Sequence, residues 1–214
     1  MKNNLLASLA PWREKFQDFG YSRKYYFHYF LYTHSIALSA MTASPRILIV
    51  IATQTLTRLA GGRVVAEYPV STGANGVGEL RGSGCTPRGQ HRVRLRIGAG
   101  CPVGTVFRAR RPTGEVYGPE LAAACPDRDW ILTRILWLTG CVPGRNRGGQ
   151  VDTLRRFIYI HGCPDAAPMG TPRSHGCIRM RNSDLVELFD ATPAGTPVEI
   201  RECAPEHSPL PLLG

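Results

Sequence analysis

Short apolar runs that end at glycine or proline recur along the chain, and they constrain its fold more than any other feature. The 214 residues include 23 glycines and 17 prolines, and the runs between them are rich in the β-branched and aromatic residues typical of strands. Segment 91–97 (HRVRLRI) alternates strictly, so we expect Val93, Leu95 and Ile97 to face the core. Further strands are predicted over residues 46–53, 55–60, 63–71, 105–109, 130–138, 157–161 and 197–200.

One segment has a clear helical pattern. Residues 183–190 place Leu185, Leu188 and Phe189 at the spacing of a buried helix face. The candidates for its N-terminal cap are Asn182, Ser183 and Asp184. About eight strands with one or two short helices predict a mostly-β sandwich or barrel-like domain.

The first 45 residues differ in composition from the rest. All three lysines lie within the first 24 residues, and segment 25–45 contains no Lys, Arg, Asp or Glu, which is typical of a signal sequence or membrane anchor. The segment is polar for that role, since it holds two histidines and four tyrosines; a disordered extension and a misassigned start at Met41 are the alternatives. We predict an N-terminal extension over 1–45, one folded domain over 46–202 and a loose tail over 203–214.

Two His-Gly-Cys triplets carry most of the chemical information. They occur in IHGCP (160–164) and SHGCIRM (174–180), 14 residues apart. One interpretation is a zinc-binding structural module, whose four ligands would be His161, Cys163, His175 and Cys177. The His-x-Cys spacing departs from the usual spacing of zinc ligands, which favours a second interpretation, a nucleophilic cysteine.

In this second interpretation Cys177 is the nucleophile. It ends a glycine-containing turn shortly before the predicted helix, where backbone N–H groups can converge on an oxyanion. Gly176 lets the backbone approach a bound carbonyl closely. His161 ends the apolar strand 157–161 and is our choice for the general base, whereas His175 orients the turn; the two histidines could exchange these roles.

These two motifs and their surroundings resemble the catalytic domain of the L,D-transpeptidases, also called the YkuD domain. The resemblance rests on strand-His-Gly, Ser-His-Gly-Cys-Ile-Arg-Met and the following Asn-Ser-Asp-Leu, together with Thr-Pro-Arg-Gly at 86–89, and it covers about residues 46–201. It implies a mostly-β sandwich. It further implies that Cys177 is the nucleophile, that His161 is the general acid/base, that Gly176 and Cys177 offer backbone oxyanion donors, that Ser174 and His175 shape the turn, and that Arg179 holds the turn or meets a substrate carboxylate.

The resemblance also implies a reaction. The thiolate would attack the carbonyl of an L-configured diamino acid in a peptidoglycan stem peptide, expel a terminal D-alanine and leave a thioester. Transfer to the amine of another stem forms a 3-3 cross-link, and transfer to a lipoprotein lysine tethers that protein. Transfer to water is the alternative of an L,D-carboxypeptidase. No metal or organic cofactor is required.

The family implies a location in the cell envelope or periplasm. The sequence contains no clear signal peptide, so a cytoplasmic location is not excluded by this criterion. The net charge of +10 permits an anionic partner of any kind. Segment 86–111 carries seven arginines and no acidic residue, but Phe107 is its one aromatic residue and no nucleic-acid-binding motif is present, so nucleic acid is not expected as a partner.

The cysteine count limits disulfide bonding. The chain has seven cysteines, and because seven is odd at least one must stay free or pair between chains. Cys163, beside the proposed base, is interpreted as a packing residue, and the connectivity of the remaining cysteines does not follow from the sequence.

Overall fold

The computed structural model describes residues 44–204. The predicted extension over 1–45 lies outside them except for its last two positions, and so does the predicted tail except for Cys203 and Ala204. The described range contains ten strands, two short α-helices and a 3-10 turn at Gly149–Val151. The strands are β1 (Pro45–Val50), β2 (Thr55–Ala60), β3 (Arg63–Pro69), β4 (Gly89–Ile97), β5 (Thr105–Arg108), β6 (Arg111–Val116), β7 (Leu132–Gly140), β8 (Tyr159–Gly162), β9 (Ile178–Met180) and β10 (Pro197–Arg201). The helices are α1 (Pro119–Ala124) and α2 (Asn182–Asp190).

The strands form one mixed sheet, which confirms the prediction of a mostly-β fold. Hydrogen bonds connect them in the order β3-β2-β1-β10-β4-β7-β5-β6, and β8 and β9 branch from β7. The pairs β1–β10 and β8–β9 are parallel, and the other pairs are antiparallel. Strand β7 therefore contacts β4 and β5 as well as β8, and it links both branches of the sheet.

Buried side chains cover both faces of the sheet at β8. The larger cluster takes Ile160 of β8 and Ile178 of β9, together with residues of β1, β4, β7, β10 and α2. The smaller one takes Tyr159 of β8 with Phe107 of β5 and Ile135 of β7. This two-sided burial gives the domain its sandwich-like packing, and it holds β8 rigidly between two apolar layers.

The predicted helix face is confirmed. Leu185, Leu188 and Phe189 of α2 are fully buried in the larger cluster. The expected capping is wrong, because Arg181 occupies the N-cap position and makes no side-chain cap bond. The side chain of Asn182 instead points into the protein, where it is buried.

The strict alternation predicted for β4 holds only for its first half. Val93 is buried, whereas Leu95 is 45% exposed. The pairing of β4 with β7 shifts between Val93 and Leu95, and such a bulge moves the following side chains to the other face. Three elements were not predicted from the sequence: β6, β9 and α1. Strand β6 contains proline and glycine, and β9 has only three residues.

Two further observations concern the whole described range. None of its helices is long and apolar enough to cross a membrane. All seven cysteines lie within it, and every one is a free thiol.

Candidate active site

The parallel pairing of β8 with β9 brings the proposed nucleophile and base to one face of the sheet. His161 lies opposite Arg179, and Ile160 lies opposite Ile178. Cys177 immediately precedes β9, so the same register sets it beside Tyr159. Paired residues share a face, and residues two apart on a strand do as well. Cys177 and His161 therefore lie on the face opposite the core residues Ile160 and Ile178, with their Cα atoms roughly 8 Å apart by strand geometry.

Two main-chain groups hold the sulfur of Cys177. The amide of Tyr159 donates to Sγ at 3.4 Å, and the thiol donates to the carbonyl of Phe157 at 3.4 Å. The residue is half-buried. Burial raises the pKa of the Cys177 thiol to about 11, and the Tyr159 amide opposes this effect. At neutral pH the side chain of Cys177 is therefore a neutral thiol.

His161 is buried, and its ring is oriented by its own strand. Its Nδ1 lies 2.9 Å from the carbonyl of Gly162. Because a carbonyl oxygen only accepts, Nδ1 must carry the proton, which leaves a lone pair on Nε2. Burial lowers the pKa of His161 to about 4, so the ring is a neutral base at neutral pH. Gly162 has no room for a side chain, since a Cβ would lie 2.8 Å from the carbonyl oxygen of Leu132.

Hydrogen bonds fix the turn that precedes Cys177. The Ser174 hydroxyl donates to the carbonyl of Cys177 and accepts from the amide of Gly176 at 3.1 Å. Thr86 donates to the carbonyl of Gly176 at 3.0 Å and accepts from the amide of Gly73 at 2.9 Å. Gly176 has φ +112°, and a Cβ there would lie 2.7 Å from the carbonyl oxygen of Cys85. The turn before Cys177 is therefore held by a tightly packed group of residues, namely Thr86, Ser174 and Gly176.

The oxyanion donors predicted from the sequence differ in availability. The amide of Gly176 already donates to Ser174, so it is not free in this state. The amide of Cys177 has no acceptor among residues 44–204. The amide of Cys177 is thus better placed than the amide of Gly176 to donate a hydrogen bond to a negatively charged oxygen.

An ion pair lies on the same face beyond the turn. Arg179 donates to Asp129 at 2.7 Å and to the carbonyl of Arg173 at 3.2 Å. Nδ1 of His175 lies 3.3 Å from the other carboxylate oxygen of Asp129. Arg179 thereby connects Asp129 to the residue that precedes the turn, and its role remains a prediction. His175 is 80% exposed, unlike the buried His161.

Asp129 and Arg179 act on both reactive groups. Asp129 raises the pKa of Cys177 and of His161, whereas Arg179 lowers both. Sequence analysis missed Asp129, which comes from the segment between α1 and β7 and has no motif around it. Arg156 was not predicted either. It donates to the carbonyls of Gly78, Glu79 and Cys85 and so ties segment 78–85 to the site.

Two clefts meet at the exposed ring of His175. The larger, of about 510 Å³, is lined among others by Asn75, Arg81, Arg155, Arg156 and Phe157. The smaller, of about 270 Å³, is lined among others by Asp127, Asp129, Trp130, Cys163 and Arg179. The larger cleft is thus strongly cationic, whereas the smaller one mixes both charges.

The four candidate zinc ligands do not converge. Cys163 donates to the carbonyl of Met180, and His175 turns outward to Asp129. Cys177 and His161 use main-chain partners, as described above. No three His, Cys, Asp or Glu side chains within the described part of the chain are placed to hold a metal ion. The zinc interpretation therefore finds no ligand set there.

Comparison with known families agrees with this geometry. The sequence model of the YkuD family, described as the L,D-transpeptidase catalytic domain, matches residues 44–200. The chain belongs to the L,D-transpeptidase family. Its YkuD domain holds every site residue discussed above.

Individual relatives match over shorter stretches. The YkuD domain is 39% identical over 61 residues to the putative L,D-transpeptidase YkuD of Bacillus subtilis, which is 26% of this chain and 37% of that protein. It is 40% identical over 58 residues to the probable L,D-transpeptidase ErfK/SrfK of Salmonella typhimurium, covering 27% of this chain and 19% of that protein.

Among solved structures, the chain is similar to L,D-transpeptidase 3 of Mycobacterium tuberculosis in complex with a faropenem-derived adduct. The identity is 20% and the TM-score 0.47, with 75% of this chain and 61% of that chain covered. The L,D-transpeptidase of Mycobacterium smegmatis gives 20% identity and a TM-score of 0.45, with 74% and 59% covered. The chain thus spans less than two thirds of each of these four relatives.

Proposed function

We propose that this YkuD domain is a cysteine-dependent L,D-transpeptidase that acts on peptidoglycan stem peptides. The observation that carries the proposal is the common face of Cys177 and His161, on which the sulfur is held by two main-chain groups and the ring is oriented by Gly162. A neutral thiol and a neutral imidazole on one face of the sheet are a proton donor and a proton acceptor of the kind that acyl transfer requires.

The first half-reaction forms a thioester. Nε2 of His161 takes the thiol proton as Sγ attacks the carbonyl carbon of the diamino acid, so that a C–S bond forms. The carbonyl electrons move to its oxygen, which the amide of Cys177 receives. When the intermediate collapses, the C–N bond breaks. The imidazolium returns its proton to the departing nitrogen, and D-alanine leaves as an amine.

The second half-reaction releases the acyl group. Neutral His161 removes a proton from the attacking amine of an acceptor stem as a new C–N bond forms. The C–S bond then breaks, and the imidazolium returns this proton to the sulfur, which regenerates the thiol and the neutral ring. A lipoprotein lysine would react in the same way. Water in place of the amine gives the carboxypeptidase alternative. The arginine-lined cleft suits stem peptides, because they carry carboxylates. The proposed reaction belongs in the cell envelope, since the polymer lies there.

Mass spectrometry of the intact protein tests the nucleophile. After incubation with a carbapenem we expect one covalent adduct on the wild type and on Cys85→Ala, which removes another half-buried thiol near the site. We expect no adduct on Cys177→Ala. An adduct that persists on a folded Cys177→Ala protein would contradict the assignment of the nucleophile.

Product analysis separates transfer from hydrolysis. With a tetrapeptide muropeptide as the sole substrate, a cross-linked dimer indicates transpeptidation and a tripeptide monomer indicates carboxypeptidase activity. We expect His161→Gln to lower the turnover by about 100- to 10,000-fold, the usual contribution of a general acid/base. Unchanged turnover in this variant would assign the proton transfer to another group.

A further inference from the structure

The hairpin that joins β5 to β6 has an unusual turn. Arg108 pairs with Arg111, so Ala109 and Arg110 are the two turn residues. Both have positive φ, 47° for Ala109 and 68° for Arg110. Two-residue hairpins of this type normally use asparagine, aspartate or glycine, because other residues are strained at positive φ. The turn is therefore strained, and one of its two residues has a long cationic side chain. Strain of this kind favours a functional role for the Arg110 side chain.

The guanidinium of Arg110 lies on a platform of aromatic rings. Its central carbon is 4.7 Å from the centre of the Trp137 ring and 4.9 Å from that of Phe157. Its Nη1 donates to the hydroxyl of Tyr159 at 3.3 Å. We call these four residues, Arg110, Trp137, Phe157 and Tyr159, the arginine-aromatic patch.

Within residues 44–204, the patch carries a positive charge without a counter-ion. Arg88, Arg128 and Arg179 each form an ion pair with a carboxylate. Arg110 pairs with no carboxylate in residues 44–204, and its bond to Tyr159 is its single hydrogen bond there. A half-buried guanidinium among aromatic rings therefore keeps most of its donors for an external acceptor.

The patch directly adjoins the nucleophile. The carbonyl of Phe157 and the amide of Tyr159 are the two main-chain groups that contact Sγ of Cys177. Phe157 itself has φ 59° and remains 45% exposed, so its ring presents an open apolar surface at this edge. Arg110 bonds to the hydroxyl of Tyr159 and Cys177 contacts the amide of the same residue, so a ligand atom on Arg110 and an acyl group on Cys177 would both lie beside Tyr159.

We propose that Arg110 binds a carboxylate of the donor stem peptide next to the bond that is cleaved, and thereby selects donors that carry this group. The proposal rests on the proposed function. The fork of the guanidinium matches a carboxylate, and the aromatic platform fixes its plane. Two carboxylates flank the cleaved bond, namely that of the terminal residue that leaves and that of the diamino acid side chain.

Three synthetic tetrapeptide donors distinguish these sources. One has both carboxylates free, one has a terminal carboxamide, and one has the diamino acid side chain amidated. We expect the wild type to lose about tenfold or more in kcat/KM, mainly through KM, on one of the two amidated donors, because amidation replaces a charge-assisted bond. The donor that loses activity identifies the carboxylate. A wild type that uses all three donors equally well overturns the proposal without any variant.

Arg110→Asn removes the guanidinium but suits the left-handed turn, and Ala109→Asn makes the matched change at the neighbouring position. We expect Arg110→Asn to use the free and amidated donors equally, and Arg110→Lys to retain part of the preference. Ala109→Asn should keep the preference of the wild type. An equal loss of activity on all three donors in Arg110→Asn would indicate a structural role and would contradict the proposal.

The same series separates this proposal from the proposed function. Thioester formation on Cys177, followed by mass, reports whether the enzyme reacts at all. If no donor and no carbapenem acylates the folded wild type, the proposed function fails, and the proposal fails with it. If acylation occurs and Arg110→Asn keeps the preference of the wild type, only the role of Arg110 is refuted.

Discussion

Cys177 and His161 both rest without charge at neutral pH, because burial opposes charge on each of them. A preformed thiolate-imidazolium pair would require the opposite shifts. Iodoacetamide reacts with thiolates, so we expect the alkylation of Cys177 to accelerate about tenfold per pH unit from pH 7 to pH 10. Site-resolved mass spectrometry measures this rate, with Cys177→Ala to identify the label on other cysteines. A plateau below pH 8 would reveal an ion pair instead.

Thr86 acts on the nucleophile through the peptide of Gly176. Its hydroxyl is fully buried and has one donor and one acceptor partner. Thr86→Val preserves the shape but leaves both main-chain groups unsatisfied, so we expect a loss of about 2 kcal/mol or more in the free energy of unfolding and a slower acylation of Cys177. Thr86→Ser keeps the hydroxyl and should retain most of both. Chemical denaturation and the carbapenem reaction measure the two effects.

The residues proposed to carry the chemistry were named from the sequence, whereas most of the residues that hold them in place could not be. The His-Gly and Ser-His-Gly-Cys words identify His161 and Cys177 without knowledge of the fold. Alternation along the predicted strand 157–161 is also sufficient to place Tyr159 on the same side as His161. Asp129 and Arg110 come from distant segments, and their contacts depend on the tertiary structure.

At the level of elements, the first residue of α2, Asn182, does not cap the helix. Its side chain instead connects the helix to neighbouring segments of the protein. The side chain of Asn182 donates to the carbonyl of Cys163 at 2.9 Å and to Asp165 at 3.0 Å, and it accepts from Thr133. The helix start is thereby fixed to the end of β8, two residues beyond His161. The sequence pattern predicted a cap because asparagine is common there; burial of the side chain decided otherwise.

Asn182→Ala tests this attachment against Ser183→Ala. The first change removes an amide that satisfies several buried groups, so we expect the free energy of unfolding to fall by about 2 to 4 kcal/mol. The second removes an exposed hydroxyl that caps nothing and should change stability by less than about 0.5 kcal/mol. Equal effects of the two substitutions, measured by urea denaturation, would indicate that Asn182 serves only the helix end.

The short strand β9 shows why the geometry of the candidate active site could not be predicted from the sequence. Three residues carry no recognisable period, yet their parallel register with β8 determines that Cys177 and His161 share a face. A shift of one residue would turn the sulfur toward the core. The bulge in β4 likewise could not be predicted from the sequence. The register shifts by one residue there, and Leu95 is exposed although alternation predicts that it is buried.

At the scale of the whole molecule, two buried histidines make stability depend on pH. Burial lowers the pKa of His91 and of His161 from 6.5 to about 4. Between these values the unfolded chain binds more protons than the folded one, so the free energy of unfolding is highest above pH 6.5 and falls as the pH decreases toward 4. For His91 the loss is about 3 kcal/mol at most.

Denaturation at a series of pH values checks this dependence. We expect His91→Gln to reduce the slope between pH 6.5 and pH 4, whereas His175→Gln, which alters an exposed ring, should keep it. The carboxylates of Glu79, Asp152 and Glu199 have lowered pKa values and so contribute at still lower pH, where stability is lost as they become protonated. A stability that stays constant from pH 7 to pH 4 would contradict the buried neutral state of both histidines.

Strand β7 has a consequence for how the proposed reaction would begin. It pairs with β8, which bears His161, and with β5, which leads to Arg110, while its own Trp137 supports the guanidinium. One buried strand thus sets the relative positions of His161, the proposed proton acceptor, and Arg110, the proposed carboxylate-binding residue. An arriving peptide then meets groups already in position, and little of its binding energy is spent on reorganising the protein before chemistry starts.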